Sequence, residues 1–155
     1  GLGDVYKRQD QALLAAEAGE EKEKDPGFLK GRRIMLGEDN ELNREIAYEL
    51  LSESGLIVDV AENGQDAIKL LGTRPENYYE LIFMDIQMPV MNGLEATKII
   101  REEEKELPII MQTAYAFTAD RENAMAAGAS EVLVKPITLS ALRTCLSKFL
   151  PQLQW

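Results

Sequence analysis

Four places in this 155-residue chain carry side chains that could do chemistry together: Glu38-Asp39, Asp85, Thr113 and Lys135. Each follows a short apolar run. Ile34-Met35-Leu36 precedes the acid pair, Leu81-Ile82-Phe83-Met84 precedes Asp85, Pro108-Ile109-Ile110-Met111 leads to Thr113, and Val132-Leu133-Val134 leads to Lys135. Runs this short, without helical spacing, predict strands buried on both faces, as in the middle of a parallel sheet. In an open α/β sheet, ligands bind beyond the carboxyl ends of the strands, where the strand order reverses. Three carboxylates converging there would repel by roughly 4 kcal/mol per pair, at ~4 Å and an effective dielectric of about 20. Such a cluster needs a cation. All-oxygen donors, in a chain with no histidine, suit Mg2+ or a similar hard ion. A metal, a carboxylate nucleophile, a hydroxyl and an ammonium together describe a phosphoryl-transfer site.

Taken singly, each residue has a plainer reading. Glu38 and Asp39 could complement the positive end of the helix that follows. Thr113 could simply end a strand, and Lys135 could be a solvated charge. Asp85 could cap a helix, but the next helical pattern starts beyond Pro89-Val90-Met91-Asn92-Gly93, too far along for that. Met84, Met88, Met91 and Met111 read as core or loop packing. Cys145, between Leu142 and Leu146, reads as a buried small hydrophobe. Joint placement at strand ends is what raises the site residues above these alternatives.

Between the strands the apolar spacing becomes helical. Asn40 opens a helix whose expected inner face is Leu42, Ile46, Ala47, Leu50 and Leu51, ended by Gly55. Ile57-Val58-Asp59-Val60 alternates, as an edge strand does. Asn63-Gly64 turns into a helix carrying Ala67, Ile68, Leu70 and Leu71, and Gly72 to Glu80 is a loop. Leu94, Ala96, Thr97, Ile99 and Ile100 mark a third helix, closing in the charged run Arg101 to Glu106. Ala119 to Ala127, before Gly128, is a small-residue helix, and Leu139, Leu142, Leu146 and Phe149 line the last. Five strand–helix alternations predict a doubly wound α/β sheet. Right-handed crossovers bring the strand ends to one edge. With strand order 2-1-3-4-5, the first and third strands adjoin at the switch point.

The balance of 27 acidic against 17 basic residues, net −10, argues against a nucleic-acid surface. The apolar runs fall far short of a membrane span, and no signal-peptide pattern is present. A single cysteine fits a reducing, cytoplasmic compartment. The lack of histidine removes His-based metal sites, catalytic triads and a phosphohistidine from this stretch of chain. Within residues 1–9, Asp4-Val5-Tyr6-Lys7-Arg8-Gln9 matches the translation of a common transposon-end sequencing adapter. That segment is read as a scar, with natural sequence expected upstream. Residues 10–30 hold a helix remnant and an acidic linker, Glu17 to Asp25, punctuated by Pro26-Gly27. The folded domain is expected over 31–150, with 151–155 as a tail.

Ile34 to Ala47, Leu81 to Gly93, Pro108 to Ala114 and Val134-Lys135-Pro136 resemble, in order and spacing, the four signature blocks of response-regulator receiver domains. The likeness runs from about Lys30 to Leu150. It implies a flavodoxin-like (βα)5 three-layer sandwich around a parallel five-stranded sheet in the order 2-1-3-4-5. It implies that Asp85 accepts a phosphoryl group from a phosphohistidine on a histidine kinase or histidine phosphotransfer domain. By the same resemblance, Asp39, Asp85 and the backbone carbonyl of Gln87 would bind Mg2+, or Mn2+ in its place, with Glu38 acting mostly through water. Thr113 would hydrogen-bond the phosphoryl group and Lys135 would pair with one of its oxygens. A cis Lys135-Pro136 peptide is implied as well.

The chain departs from the family pattern in two places. Val132 stands where Tyr or Phe is usual, so the usual Thr–aromatic coupling does not carry over. Tyr115 stands two residues past Thr113, where smaller polar residues are common, and with Gln87 it would flank the path of the hydrolytic water. The wording Glu38-Asp39-Asn40-Glu41-Leu42-Asn43-Arg44 looks like receivers fused behind sensor histidine kinases. The expectation is therefore the C-terminal receiver of a hybrid histidine kinase truncated upstream, its kinase part free to be membrane-anchored and dimerisation left open. A single-domain regulator is the alternative. The rival from another class, a metal-dependent phosphatase or phosphotransferase acting on small molecules, would want a second acid two residues after the nucleophile, where Gln87 stands.

Overall fold

The computed structural model describes residues 29–114, 118–135 and 137–149. The expected scar, nearly all of the expected linker, Tyr115, the Lys135-Pro136 bond and the C-terminal tail lie outside the described residues. Ten elements alternate along the chain: β1 (Arg33–Gly37), α1 (Glu41–Glu53), β2 (Ile57–Ala61), α2 (Gly64–Thr73), β3 (Leu81–Asp85), α3 (Gly93–Glu103), β4 (Ile109–Thr113), α4 (Thr118–Ala127), β5 (Glu131–Val134) and α5 (Leu139–Phe149). Among the described residues, 29–135 fall in one compact unit and 137–149 in a second. The first holds the five strands and α1 to α4; α5 belongs to the second. Within α5, Leu142, Cys145 and Leu146 are buried, as their spacing predicts.

The strands pair in parallel in the order β2-β1-β3-β4-β5, a doubly wound sheet as the strand–helix alternation predicts, in the order that the resemblance implies. Parallel strands in the middle of such a sheet are covered on both faces and so need continuous apolar runs. β3 is central and every residue of it is buried, as is every residue of β4. On one face Met35, Ile82, Met84, Ile109, Met111 and Val132 pack with Ala67 of α2, Ala96 and Ile100 of α3 and Ala124 of α4. Small residues on those helices let them lie close to the sheet. The other face carries Ile34, Leu36, Leu81, Phe83 and Ile110, all fully buried. Right-handed crossovers put α1 on that side, because β1 to β2 runs opposite to the later steps across the sheet.

Asparagine starts three of the helices. Asn40, Asn63 and Asn92 each accept a hydrogen bond from the backbone N–H three residues on, at 2.9, 2.8 and 2.8 Å, satisfying a donor that the first turn leaves without a partner. The expected inner face of α1 is only partly right. Leu42 and Ile46 are 64% and 58% exposed, and only Leu51 of the five expected residues is fully buried. The Leu42, Ile46, Leu50 stripe lies one helical row to the side of the buried contact, which is made at the C-terminal end of the helix. In α3 likewise, Ile99 faces outward while Ala96, Thr97 and Ile100 are buried.

Two polar clusters brace this frame. The Tyr79 hydroxyl donates to the Asp59 carboxylate, and Arg74 reaches the same carboxylate at 3.1 Å. Burial, reinforced by the hydrogen bond to Asp59, pushes the Tyr79 phenol up to about 12. On the other flank, Arg101 donates to the carbonyls of Gly128 at 2.7 Å, Glu104 at 2.8 Å and Leu107 at 2.7 Å, and to the Ser130 hydroxyl at 3.3 Å. It thereby ties α3 to the approach to β4 and to the turn after α4. Burial lowers its pKa.

Candidate functional site

At the carboxyl edge of the sheet an open cleft of about 680 Å³ is walled by Glu38, Asp39, Asp85, Gln87, Ala114 and Lys135, among others. The strand register builds it. Gly37 pairs with Met84, so Glu38 continues the row in which Asp85 pairs with Gln112. Paired residues of adjacent strands leave the sheet on the same face, which sets the two carboxylates side by side. Lys135, one residue beyond β5, has its N–H bound to the Thr113 carbonyl at 2.7 Å. Its side chain returns to place Nζ 2.6 Å from Glu38 Oε1 and 2.6 Å from Asp85 Oδ2. The other Asp85 oxygen accepts the Gln87 N–H at 3.1 Å, and the second Glu38 oxygen accepts the Asn40 N–H at 3.3 Å. Arg44, from the first turns of α1, donates to the carbonyls of Glu38 and Asp39 at 3.2 and 3.1 Å.

Glu38 and Asp85 are buried and Asp39 is exposed. Burial holds the Glu38 carboxyl above the ordinary range, with the charge of Asp85 adding to it and the bond to Lys135 pulling the other way. For Lys135, burial acts to lower the pKa, but the hydrogen bonds to Asp85 and Glu38 outweigh it and the net shift is upward. The ammonium therefore stays charged, and it neutralises the buried half of the acid cluster. This revises the expectation of three mutually repelling carboxylates: the repulsion falls on the buried pair, and the third acid is screened by solvent.

The loop after β3 keeps the mouth of the cleft in place. Val90 takes a positive φ of 66° in a three-residue turn closed by the Met91 N–H on the Pro89 carbonyl at 2.6 Å. Gly93, the first residue of α3, donates to the Ile86 carbonyl at 2.9 Å. A Cβ there would sit 2.2 Å from the Asp85 carbonyl oxygen, so only glycine lets α3 start so close to the acid. Asn92 caps α3, which removes the alternative reading of Asp85 as a cap.

One carboxylate oxygen from each of Glu38, Asp39 and Asp85 lies within 4.8 Å of the others. Three such oxygens fit a hard divalent cation that keeps several waters. Of the residues expected from the sequence, Glu38, Asp39, Asp85, Gln87 and Lys135 all wall the cleft. Thr113 is buried at the end of β4 and is not on the wall; its neighbour Ala114 is. Sequence reasoning missed Arg44 and Gly93. The signal for the second was present in the Asn92-Gly93 pair, an N-cap before a residue with no side chain.

No helix among the described residues is long and apolar enough to cross a membrane. Hybrid signal transduction histidine kinase G of Dictyostelium discoideum is 39% identical over 124 residues, covering 77% of this chain and 4% of that protein. The chain thus spans a small fraction of the length of this relative. The receiver domain of a sensor histidine kinase from Pseudomonas aeruginosa, with a magnesium ion coordinated in its active site cleft, matches with a TM-score of 0.72 and 33% identity. The match covers 78% of this chain and 98% of that one. The response regulator TrrA of Thermotoga maritima, in complex with Mg2+ and BeF, matches with a TM-score of 0.68 and 34% identity, over 76% of this chain and 98% of its own. A family model described as the response regulator receiver domain covers residues 34–147. With that match over all five strands but for Arg33, and with the acids, the lysine and the strand order, the chain belongs to the response regulator receiver domain family.

Proposed function

We propose that Asp85 is the phosphoacceptor of this receiver and that its donor is a phosphohistidine on a histidine kinase or histidine phosphotransfer domain. The single observation that carries the reading is the Lys135 ammonium, 2.6 Å from both Glu38 and Asp85. It sets a positive charge against a buried carboxylate at the floor of a cleft that a partner can enter. One Asp85 oxygen attacks phosphorus. The new O–P bond forms as the N–P bond to the donor imidazole breaks, and the electron pair of that bond returns to the imidazole nitrogen. Asp85 gives up no proton, so no general base is required. Asp39, Asp85 and the Gln87 carbonyl would hold Mg2+, with Mn2+ suiting the same oxygens and Glu38 acting through water. Bound there, the metal would offset the negative charge of the phosphoryl oxygens. Lys135 then exchanges its Asp85 bond for a phosphoryl oxygen, while Thr113 must turn its hydroxyl toward the cleft to reach the group.

The match to a hybrid kinase supports reading this domain as the receiver of such a protein; the proposal places it at the C-terminal end, in the cytoplasm, with no direct nucleic-acid or membrane contact of its own. Incubation with acetyl phosphate and Mg2+ should attach one base-labile phosphoryl group per chain, and Asp85→Asn should abolish it. Undiminished labelling of that variant would sink the assignment.

A further inference from the structure

Gln112 has no role in the chemistry described so far, yet it is the odd residue of the core. It is 5% exposed, in the middle of β4. Its carbonyl accepts the Ile86 N–H as part of the sheet ladder, but among the described residues its side-chain amide has no hydrogen-bond partner. A buried amide without a partner is costly and calls for an explanation. Its position supplies one. Gln112 is the register partner of Asp85, so both side chains leave the same sheet face from strands about 4.8 Å apart. Glu38 flanks Asp85 on one side of that row, Gln112 flanks it on the other, and Leu133 beyond Gln112 is apolar. In the unmodified domain both Asp85 oxygens are taken, one by the Gln87 N–H and one by Lys135.

We infer that Gln112 is a positioning residue whose amide is paired only in the phosphorylated state. The inference rests on Asp85 as phosphoacceptor. When Oδ1 of Asp85 carries the phosphoryl group, Lys135 leaves Oδ2 for a phosphoryl oxygen, and Oδ2, now the acyl oxygen, loses its donor. The Gln112 NH2 stands in the adjacent place of the row to supply that donor. The amide that is unpaired before modification thereby favours the modified state, which biases the receiver toward holding its phosphoryl group.

Thermal melting of the full chain with and without Mg2+ and beryllofluoride, a phosphoryl analogue, tests this against Gln112→Met, which keeps the shape and removes the amide. The variant should melt higher than the parent without the analogue and gain less from it. Its affinity for beryllofluoride should fall about fivefold or more, the low end of the coupling expected between linked sites. Equal shifts in both states would overturn the inference, since a merely structural residue acts on both alike. A second measurement needs no variant. In the parent, the side-chain NH2 resonances of Gln112 should move and exchange more slowly with solvent when beryllofluoride is added. Unmoved resonances in a parent that does bind the analogue overturn the inference alone. A parent that does not bind it at all overturns the Asp85 reading, and this inference with it.

Discussion

Lys135 is the cation on which the unmodified site depends, and replacing it by methionine isolates that dependence. Methionine keeps most of the apolar stem and removes the charge that sits 2.6 Å from two buried carboxylates. The oxygens of Glu38 and Asp85 lie within 4.8 Å, so their mutual repulsion at an effective dielectric of about 20 is about 3.5 kcal/mol once the ammonium is gone. Removing one partner of a buried ionic group typically costs about 3–5 kcal/mol, because the charge left behind has neither water nor a counterion. That is a large part of a domain stability of roughly 5–15 kcal/mol. A divalent cation binding the same acids should then restore more stability in Lys135→Met than in the parent, where ten times Kd contributes about 1.4 kcal/mol. Urea melts at pH 7, with and without millimolar Mg2+ at fixed ionic strength, read both quantities. A loss under about 1 kcal/mol, with an Mg2+ response equal to the parent's, would refute the reasoning and make Lys135 a surface charge.

Three further outcomes follow from the geometry. Gly93→Ala should destabilise by about 3 kcal/mol, the upper range for overpacking, because its Cβ would meet the Asp85 carbonyl at 2.2 Å; a urea midpoint within error of the parent's would contradict this. Arg101→Lys should lose about 2 kcal/mol, since an ammonium cannot span the Gly128, Glu104 and Leu107 carbonyls that the guanidinium fork joins. Calorimetry that finds the lysine variant as stable as the parent rejects the fork as a brace. Tyr79→Phe should lose roughly 1–2 kcal/mol at pH 8. The Tyr79 pKa is raised to about 12 from about 10 in the unfolded chain, so its contribution is complete below pH 10 and is lost as pH climbs through 12. The gap between parent and variant should close over that window, and a gap that stays constant from pH 8 to 12 dismisses the Asp59 bond as its source.

The sheet was readable because burial on both faces leaves a short unbroken apolar run that no surface element tolerates. β3, β4 and the core of β1 carry that mark, and the alternation of β2 marks it as the edge. Helix starts were readable from Asn40 and Asn63, whose short amides compete for backbone donors, whereas Asn92, which caps α3 in the same way, was passed over as part of the loop. The buried side of α1 was not. Leu42 and Ile46 fit a helical stripe as well as Ala47 and Leu51 do, and periodicity identifies a stripe without saying which of two adjoining stripes meets the sheet. Arg101 was lost for a related reason. In the run Arg101 to Glu106 it reads as one more solvated charge, and only the fold brings the Gly128 and Leu107 carbonyls to it.

The site divides the same way. Glu38, Asp39, Asp85 and Lys135 were legible because each stands at a strand end, and a parallel sheet collects its strand ends whatever the register. Gln112 stands inside β4, one residue before Thr113, and its meaning depends wholly on register. A shift of one residue in the β3–β4 pairing would turn its amide to the opposite face, away from Asp85. Thr113 shows the converse. It was legible as a strand-end hydroxyl, yet it is the last residue of β4 itself and is buried off the cleft wall. Val132 is buried in the core as a small aliphatic residue and brings no ring to exchange places with that hydroxyl. On the proposed role of Thr113, a turn of its hydroxyl toward a phosphoryl group would draw on the backbone it shares with Lys135, whose N–H holds the Thr113 carbonyl at 2.7 Å.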